Sequence, residues 1–388
     1  MLKNLTNKLF MRLCGDVFLP PFADEIPIDY KEFKTKSALS IYWRKLRPNL
    51  NLLIRGQYAL QEQVIDQNHR RILWIYKGIP QVGDALMDLS SRIFLKNSDK
   101  KLDLYTDAHL AELFQADDVF ERVFTRIEDA KMNDYDLVIV DSFKWRCLQE
   151  KIKFFPAIPF VTMRGYFSGP EFNRTLFSFF RMRQLLRSNE TTAQIIEKAS
   201  PYLCSTDEDK QIAKEILIPT NTIAFAIGGA SPSRTYLNWD RVINKLLSEH
   251  ANISVVLLGS SNADAMRKKI LKTLPNKEKQ ILDCVDQFSL RQTFQIMQRC
   301  RLVVCADGGL LHLANAANIP TVSLFDKHVK ATMRLTAANR SISLEAQTEI
   351  SALSDDVIVC AIKQSLLDQD TQHSHLANSM MSIPINAP

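Results

Sequence analysis

The sequence predicts an α/β protein built from two parallel-sheet domains, and three observations carry that prediction. Its 388 residues are more than one hydrophobic core usually organises. Short apolar runs alternate with amphipathic ones in two blocks, the first over 71–142 and the second over 222–325. In each block the first run ends in a glycine-bearing loop that leads into a helix.

The elements follow in order. "RILWIYKG" (71–78) reads as a buried strand, 82–97 as a helix, "KLDLYTD" (101–107) as a strand, "AHLAELFQ" as a helix and "YDLVIVDS" (135–142) as a strand. The alternation pauses in the Phe- and Arg-rich stretch 160–190 and resumes with "TIAFAIGGAS" (222–231). The helix "WDRVINKLLSEH", the strand "ISVVLLGSS" and the helices "NADAMRKKILKTL" and "SLRQTFQIMQRC" come next. "RLVVCADGGLLHLANAANIPTVSLF" (301–325) closes the block as strand, turn, helix and strand. Strands alternating with helices imply right-handed βαβ units. Residues 1–69 read as helices and loops broken by Pro20, Pro21 and Pro27, and the polar tail beyond Asp368 reads as frayed. The expected divisions are 1–69, 70–205, 206–368 and 369–388.

Composition narrows the class. With 46% hydrophobic residues and 21 Phe there is ample material for two cores. The seven cysteines are scattered without a C-x-x-C pair, which suits reduced thiols and a cytoplasmic location. No run reaches the ~20 apolar residues of a spanning helix, and Lys3, Lys8 and Arg12 interrupt the opening as a cleaved leader would not allow. Leu2, Leu5, Leu9 and Leu13 recur at helical spacing, so that opening docks either on its own domain or on a membrane surface. From Lys144 to Arg187, nine Lys or Arg face two Glu, a balance of 9 − 2 = +7. Such a block is a solvated face or a site for an anionic partner, and no nucleic-acid-binding motif accompanies it. Phe167, Phe172, Phe177, Phe179 and Phe180 in that region reach toward lipid or fill the core, the core being the expected place.

Open parallel sheets bind ligands at the carboxyl ends of their strands, and in a two-domain protein the crevice between domains is the natural site. Three loops there carry chemistry. "GGASPSRTYLNWD" combines glycines that allow close backbone approach, the hydroxyls of Ser231 and Ser233, the cationic fork of Arg234 and a helix start. It is either an anion site or a glycine turn with a capped helix. In the second loop, Gly308 and Gly309 expose amides at the start of a helix, where a phosphate is favoured. Asp307 would repel that phosphate, so it must either cap the helix or turn toward hydroxyl groups; His312 is either a packed residue or a ligand contact. The third loop, "KGIPQVGDALMD" (77–88), lacks the G-x-G-x-x-G of a dinucleotide site, which disfavours a dehydrogenase. Asp84 there is either an N-cap or a general base.

Taken in order, these loops resemble the ADP-heptose:lipopolysaccharide heptosyltransferases, the family 9 glycosyltransferases. Gly83-Asp84 matches that family's Gly-Asp loop after the first strand; Gly229-Ala230-Ser231 with Arg234 and Trp239 is similar to its second loop. Asp307 to Ala316 followed by Pro320 to Phe325 resembles its most specific motif, Asp-Thr-Gly-x-x-His-Leu-x-x-Ala and Pro-Thr-Val-x-Leu-Phe. The resemblance spans about 71–365. It departs from the family pattern where Arg234 replaces Lys and lies farther from Trp239, where Gly308 replaces Thr, and where "FDKH" (325–328) replaces Phe-Gly-Pro-Thr.

The resemblance implies a GT-B fold, with two Rossmann-like domains whose parallel sheets face a central crevice, plus a mainly helical N-terminal extension. The domain of 70–205 would bind the acceptor and that of 206–368 the nucleotide sugar. It implies an inverting transfer of heptose from ADP-heptose to inner-core lipopolysaccharide or lipooligosaccharide, with Asp84 as base. Ser231, Arg234, Gly308, Gly309 and Leu310 would hold the diphosphate, Asp307 the sugar hydroxyls, and His312 would stand beside them. Lys144, Arg146 and Arg164 of the basic block would face the anionic glycolipid acceptor, at the cytoplasmic face of an inner membrane with peripheral contact. No cofactor beyond the co-substrate is expected, and no metal, since the sequence has no Asp-x-Asp cluster. The rival expectations are a GT-B transferase with another nucleotide sugar or a protein acceptor, and a non-catalytic glycan- or nucleotide-binding relative.

Overall fold

The computed structural model describes residues 38–142, 145–164, 173–229 and 231–381. Two compact units divide the chain between Cys204 and Ser205, and Thr332–Ala338 returns to the first unit.

Unit 1 contains β1 (Arg71–Tyr76), β2 (Lys101–Thr106), β3 (Phe120–Phe124), β4 (Leu137–Val140) and β5 (Phe160–Thr162). They form one parallel sheet in the order β3-β2-β1-β4-β5. Unit 2 contains β6 (Thr222–Ala226), β7 (Ser254–Leu258), β8 (Ile281–Asp283), β9 (Leu302–Ala306), β10 (Thr321–Phe325) and β11 (Ser341–Glu345). Its parallel sheet runs β11-β10-β9-β6-β7-β8. In both sheets the chain winds outward from its first strand on one side, then returns to that strand's other edge. This creates a topological switch point between β1 and β4 and another between β6 and β9. Helices cover both faces, which is why the central strands are continuous apolar runs: Ile72, Trp74 and Val138 are fully buried in one sheet, Phe225, Val255 and Val304 in the other.

The structure corrects several expectations. The helix expected over 82–97 is α-helical only from Val82 to Asp88 and continues as a 3-10 segment, Ser90–Leu95. The Ser90 hydroxyl donates back to the Leu86 carbonyl, a bond that competes with the helical ladder. Arg92 is drawn inside, where Asp117, the Leu89 carbonyl and the Tyr202 carbonyl (both 3.0 Å) accept its protons between the rings of Phe114 and Phe120. The tail beyond Asp368 is helical as far as Met381. Asp370 is anchored there by Arg301 at 2.6 Å, and Gln369 by the Ser365 carbonyl at 3.1 Å. Phe177, Phe179 and Phe180 fill a core with Ile195 and Phe94, as expected; Phe167 and Phe172 lie outside the described residues, as do Leu2, Leu5, Leu9 and Leu13.

Before β1, helix Ala38–Ile54 and the 3-10 turn Gln57–Leu60 pack on unit 1. The Glu62 amide donates to the Phe160 carbonyl at 2.8 Å, which covers the β5 edge. Gln57 accepts the buried Lys151 ammonium and donates to the Pro156 carbonyl at 3.1 Å. Burial of that ammonium pushes its pKa down to about 8. Asn173 joins two parts of unit 1. Its Oδ1 caps helix Arg174–Leu186 by accepting the Leu176 amide at 3.1 Å, and its Nδ2 donates to the carbonyls of Thr332 (3.1 Å) and Leu335 (2.8 Å).

Among the described residues no helix is long and apolar enough to cross a membrane.

Candidate active site

At the carboxyl end of β1 the backbone turns at Gly78, whose φ of +74° suits glycine; its N–H donates to Asp107 at 2.9 Å. Lys77 pairs with the same carboxylate at 3.0 Å, and the side chain of Arg146 lies against Gly78. The chain then enters helix Val82–Asp88. Its N-cap is Gln81, so Asp84 is the third residue of the helix and the capping role is excluded. The Asp84 carboxylate, 30% exposed, lies 3.3 Å from Nη1 of Arg174.

One turn on, Asp88 is 1% exposed and surrounded by donors. It accepts Arg174 Nε at 3.0 Å and the Tyr76 hydroxyl at 3.0 Å, and it pairs with the Arg164 guanidinium. Its backbone carbonyl accepts the Ser178 hydroxyl at 2.6 Å. Burial works against the charge on Arg174, but the carboxylates of Asp88 and Asp84 outweigh it and hold the guanidinium more firmly protonated than usual. Burial, then the charges of Asp88 and Asp141, push the Tyr76 phenol well above its ordinary range. The two carboxylates therefore differ in what they can do. Asp88 is enclosed and saturated with donors, whereas Asp84 is open to solvent and held by one edge of a guanidinium that Asp88 fixes.

Sequence reasoning did not find Asp88, Arg174 or Tyr76. One signal was present: Asp84 and Asp88 are spaced i, i+4, which puts both acids on one helix face and calls for a shared cation. Of the three basic residues expected to face an acceptor, Arg146 is exposed. Arg164 is engaged by Asp88 and lies 5.6 Å over the Phe177 ring. Lys144 lies outside the described residues.

In unit 2 the loops after β6 and β9 emerge side by side at the switch point. Gly229 is a place of close approach: a Cβ there would stand 2.3 Å from Thr235 Oγ1 and 2.6 Å from the Arg234 carbonyl. Asn262 donates to the Gly229 carbonyl at 3.0 Å, and Thr235 Oγ1 to the Ser231 carbonyl at 2.8 Å, which fixes the turn. Ser231 and Ser233 set their hydroxyls 3.3 Å apart, and Pro232–Arg234 forms one 3-10 turn. From the other loop Asp307, its side chain 3% exposed, reaches Arg234 Nη1 at 3.4 Å. The sequence left two choices for this acid, capping the helix or facing hydroxyl groups. The N-cap of helix Gly309–Ala316 is instead Gly308, and Asp307 pairs with the arginine of the neighbouring loop.

Gly308 has φ 171°, extended backbone that any residue adopts, and a Cβ there would meet nothing nearer than the Ala306 carbonyl at 3.9 Å. A threonine would fit, so this departure from the family pattern is sterically neutral. Behind it, the first amides of the helix, from Gly309 and Leu310, have no partner within the helix ladder, the ordinary condition of a helix start. His312 is 2% exposed, so a direct ligand contact would require uncovering it. Chemically, the unit 2 loops offer a guanidinium, two hydroxyls and helix-start amides to an anion. Asp307 offers a carboxylate to hydroxyl groups once that anion draws Arg234 away.

Comparison with known proteins agrees with this architecture. The family model "Glycosyltransferase family 9 (heptosyltransferase)" matches residues 179–359. No curated protein sequence matches the chain. A solved family 9 glycosyl transferase from Veillonella parvula superposes with a TM-score of 0.63 at 14% identity, covering 79% of this chain and 100% of that one. Escherichia coli ADP-heptose lipopolysaccharide heptosyltransferase II gives 0.63 at 17% identity, covering 77% and 99%. E. coli heptosyltransferase WaaC with ADP gives 0.54 at 13% identity, covering 76% and 99%. Likeness at these identities establishes the fold, that of the GT-B heptosyltransferases. The family match reaches from the end of unit 1 through both loops of unit 2, and over that segment the chain resembles glycosyltransferase family 9.

Proposed function

We propose that this chain moves a heptose from ADP-heptose to a hydroxyl of an inner-core lipopolysaccharide or lipooligosaccharide, with inversion at the anomeric carbon. The observation that carries the reading is the Arg234–Asp307 pair, 3.4 Å apart at the β6/β9 switch point within a segment matched to a heptosyltransferase family. The diphosphate binds Arg234, Ser231 and the amides of Gly308, Gly309 and Leu310. Asp307, released from Arg234, takes hydroxyls of the sugar. His312 supports the helix from within.

In unit 1, Asp84 accepts the proton of the acceptor hydroxyl as the new oxygen–carbon bond forms and the bond from the anomeric carbon to the phosphate oxygen breaks. ADP departs with its charge met by Arg234 and the helix amides, a preorganised electrostatic contribution of several kcal/mol. Arg146, exposed beside Gly78, meets the anionic acceptor, while the charge of Arg164 is committed to Asp88. The ADP bound in the WaaC structure supports an adenine nucleotide as the donor's carrier. The acceptor is a glycolipid at the cytoplasmic face of an inner membrane.

A donor screen tests this. Thermal shift with ADP-heptose and with UDP- and GDP-sugars is read beside mass-spectrometric transfer onto delipidated core oligosaccharide. Stabilisation and transfer with ADP-heptose alone are expected. Transfer from a different sugar nucleotide would replace the donor assignment, and no transfer from any would sink the reading.

A further inference from the structure

Of the nine large hydrophobic side chains exposed among the described residues, four fall between residues 50 and 58: Leu50 at 44%, Leu53 at 63%, Ile54 at 77% and Tyr58 at 43%. This is a patch, not scatter. Leu50, Leu53 and Ile54 are spaced i, i+3, i+4 at the end of helix Ala38–Ile54 and so share one stripe, while Leu52 on the other side is fully buried in the core with Leu73 and Phe155. The helix is thereby fixed to unit 1 with its apolar stripe outward. Residues 38–60 contain Arg44, Lys45, Arg47 and Arg55 and no Asp or Glu, a local charge of +4. Arg47 and Arg55, at either end of the stripe, are exposed. All of this lies before the family-matched segment.

We propose that Leu50, Leu53, Ile54 and Tyr58, flanked by Arg47 and Arg55, dock unit 1 on the surface of an anionic phospholipid bilayer. An apolar stripe bordered by arginines matches the two layers of such a surface: side chains enter the boundary of the acyl region while guanidiniums meet phosphates. A second copy of the same patch is disfavoured, because it would set Arg47 and Arg55 of one copy against those of the other. The inference deepens the glycolipid-acceptor reading and rests on it for purpose: docking confines the enzyme to the plane in which its acceptor lies.

The test uses the full chain. Binding is measured by co-sedimentation with vesicles of phosphatidylcholine alone and with about one-third phosphatidylglycerol. Transfer to delipidated core oligosaccharide is measured in parallel. The parent should bind the anionic vesicles at least about tenfold more strongly than the neutral ones. Leu53→Asp combined with Ile54→Asp should weaken anionic binding at least about tenfold, with unchanged melting temperature and unchanged transfer to the soluble acceptor. Arg55→Glu should weaken it less. Equal binding to both vesicle types, or anionic binding that survives the double substitution, overturns the proposal. So does a parent that self-associates through the patch, seen as a dimer in sedimentation that the double variant abolishes. Loss of soluble transfer with vesicle binding intact would count against the transferase reading alone.

Discussion

At the carboxyl end of β1 the chain places side chains; at the carboxyl end of β6, in a sheet of the same strand order, it places backbone. In unit 1 the chemistry converges on Asp88, 1% exposed, which gathers Arg164, Arg174 and Tyr76 and leaves Asp84 at the rim. In unit 2 the glycine turn at Gly228 and Gly229 brings main chain within reach, and an ion pair, Arg234–Asp307, crosses between loops. The difference follows from the tasks proposed for them. A base must keep its carboxylate in one orientation, which a buried ionic scaffold enforces. A diphosphate needs several donors close together, and only backbone without Cβ atoms can crowd in that way.

The comparison can be broken or sharpened at several points. Asp84→Asn should lower kcat by about 10²–10⁴-fold while leaving the fold intact, measured by transfer kinetics beside circular dichroism; a loss below tenfold would remove Asp84 from the chemistry. Asp88→Ala should act on stability instead. It leaves two guanidiniums beside an apolar interior and should cost about 3–5 kcal/mol in urea unfolding. If it left stability unchanged, the scaffold account of unit 1 would be wrong.

In unit 2, Gly229→Ala should displace the turn and weaken nucleotide binding by about 1–3 kcal/mol in calorimetry. Gly308→Ala, with open space around its Cβ, should change binding by less than about twofold. Equal effects at the two glycines would contradict the distinction drawn between close approach and mere extension.

The smallest expected effect concerns Lys151. Its folded pKa of about 8 is below the usual 10.5, so the unfolded chain binds more protons between those values and stability contributed by this site rises with pH across that window. Lys151→Met should therefore exceed the parent in stability at pH 7, and the advantage should shrink as pH rises from about 8 to 10.5. An advantage that is absent at pH 7 or constant with pH would show that Gln57 compensates the buried charge fully.

The alternation of strands and helices was legible because the interior strands are buried on both faces and read as unbroken apolar runs. The four strands that escaped notice, β3, β5, β8 and β11, are the four sheet edges. Edges have partial solvent: Phe120–Phe124 has one buried position among half-buried and exposed ones, Ser341–Glu345 has only half-buried and exposed ones, and β5 and β8 have three residues each, too few for a period. At the sites, Asp84, Arg234 and Asp307 stood out because each follows a clear strand through a glycine loop. Asp88 and Arg174 did not, since 86 residues separate them and only the folded helix pair joins them. The departure at Gly308 looked chemical in the sequence and is sterically neutral in the structure, because its backbone is extended.

The return of Thr332–Ala338 to unit 1 has a consequence for how such proteins can be recombined. The chain passes between units three times, after residues 204, 331 and 338, so unit 2 cannot be exchanged between relatives at one junction. A hybrid joined only at Cys204 would bring foreign carbonyls to Asn173, the residue that caps the helix bearing Arg174. Replacing unit 2, the proposed holder of the sugar nucleotide, therefore means transplanting two segments and keeping seven native residues between them.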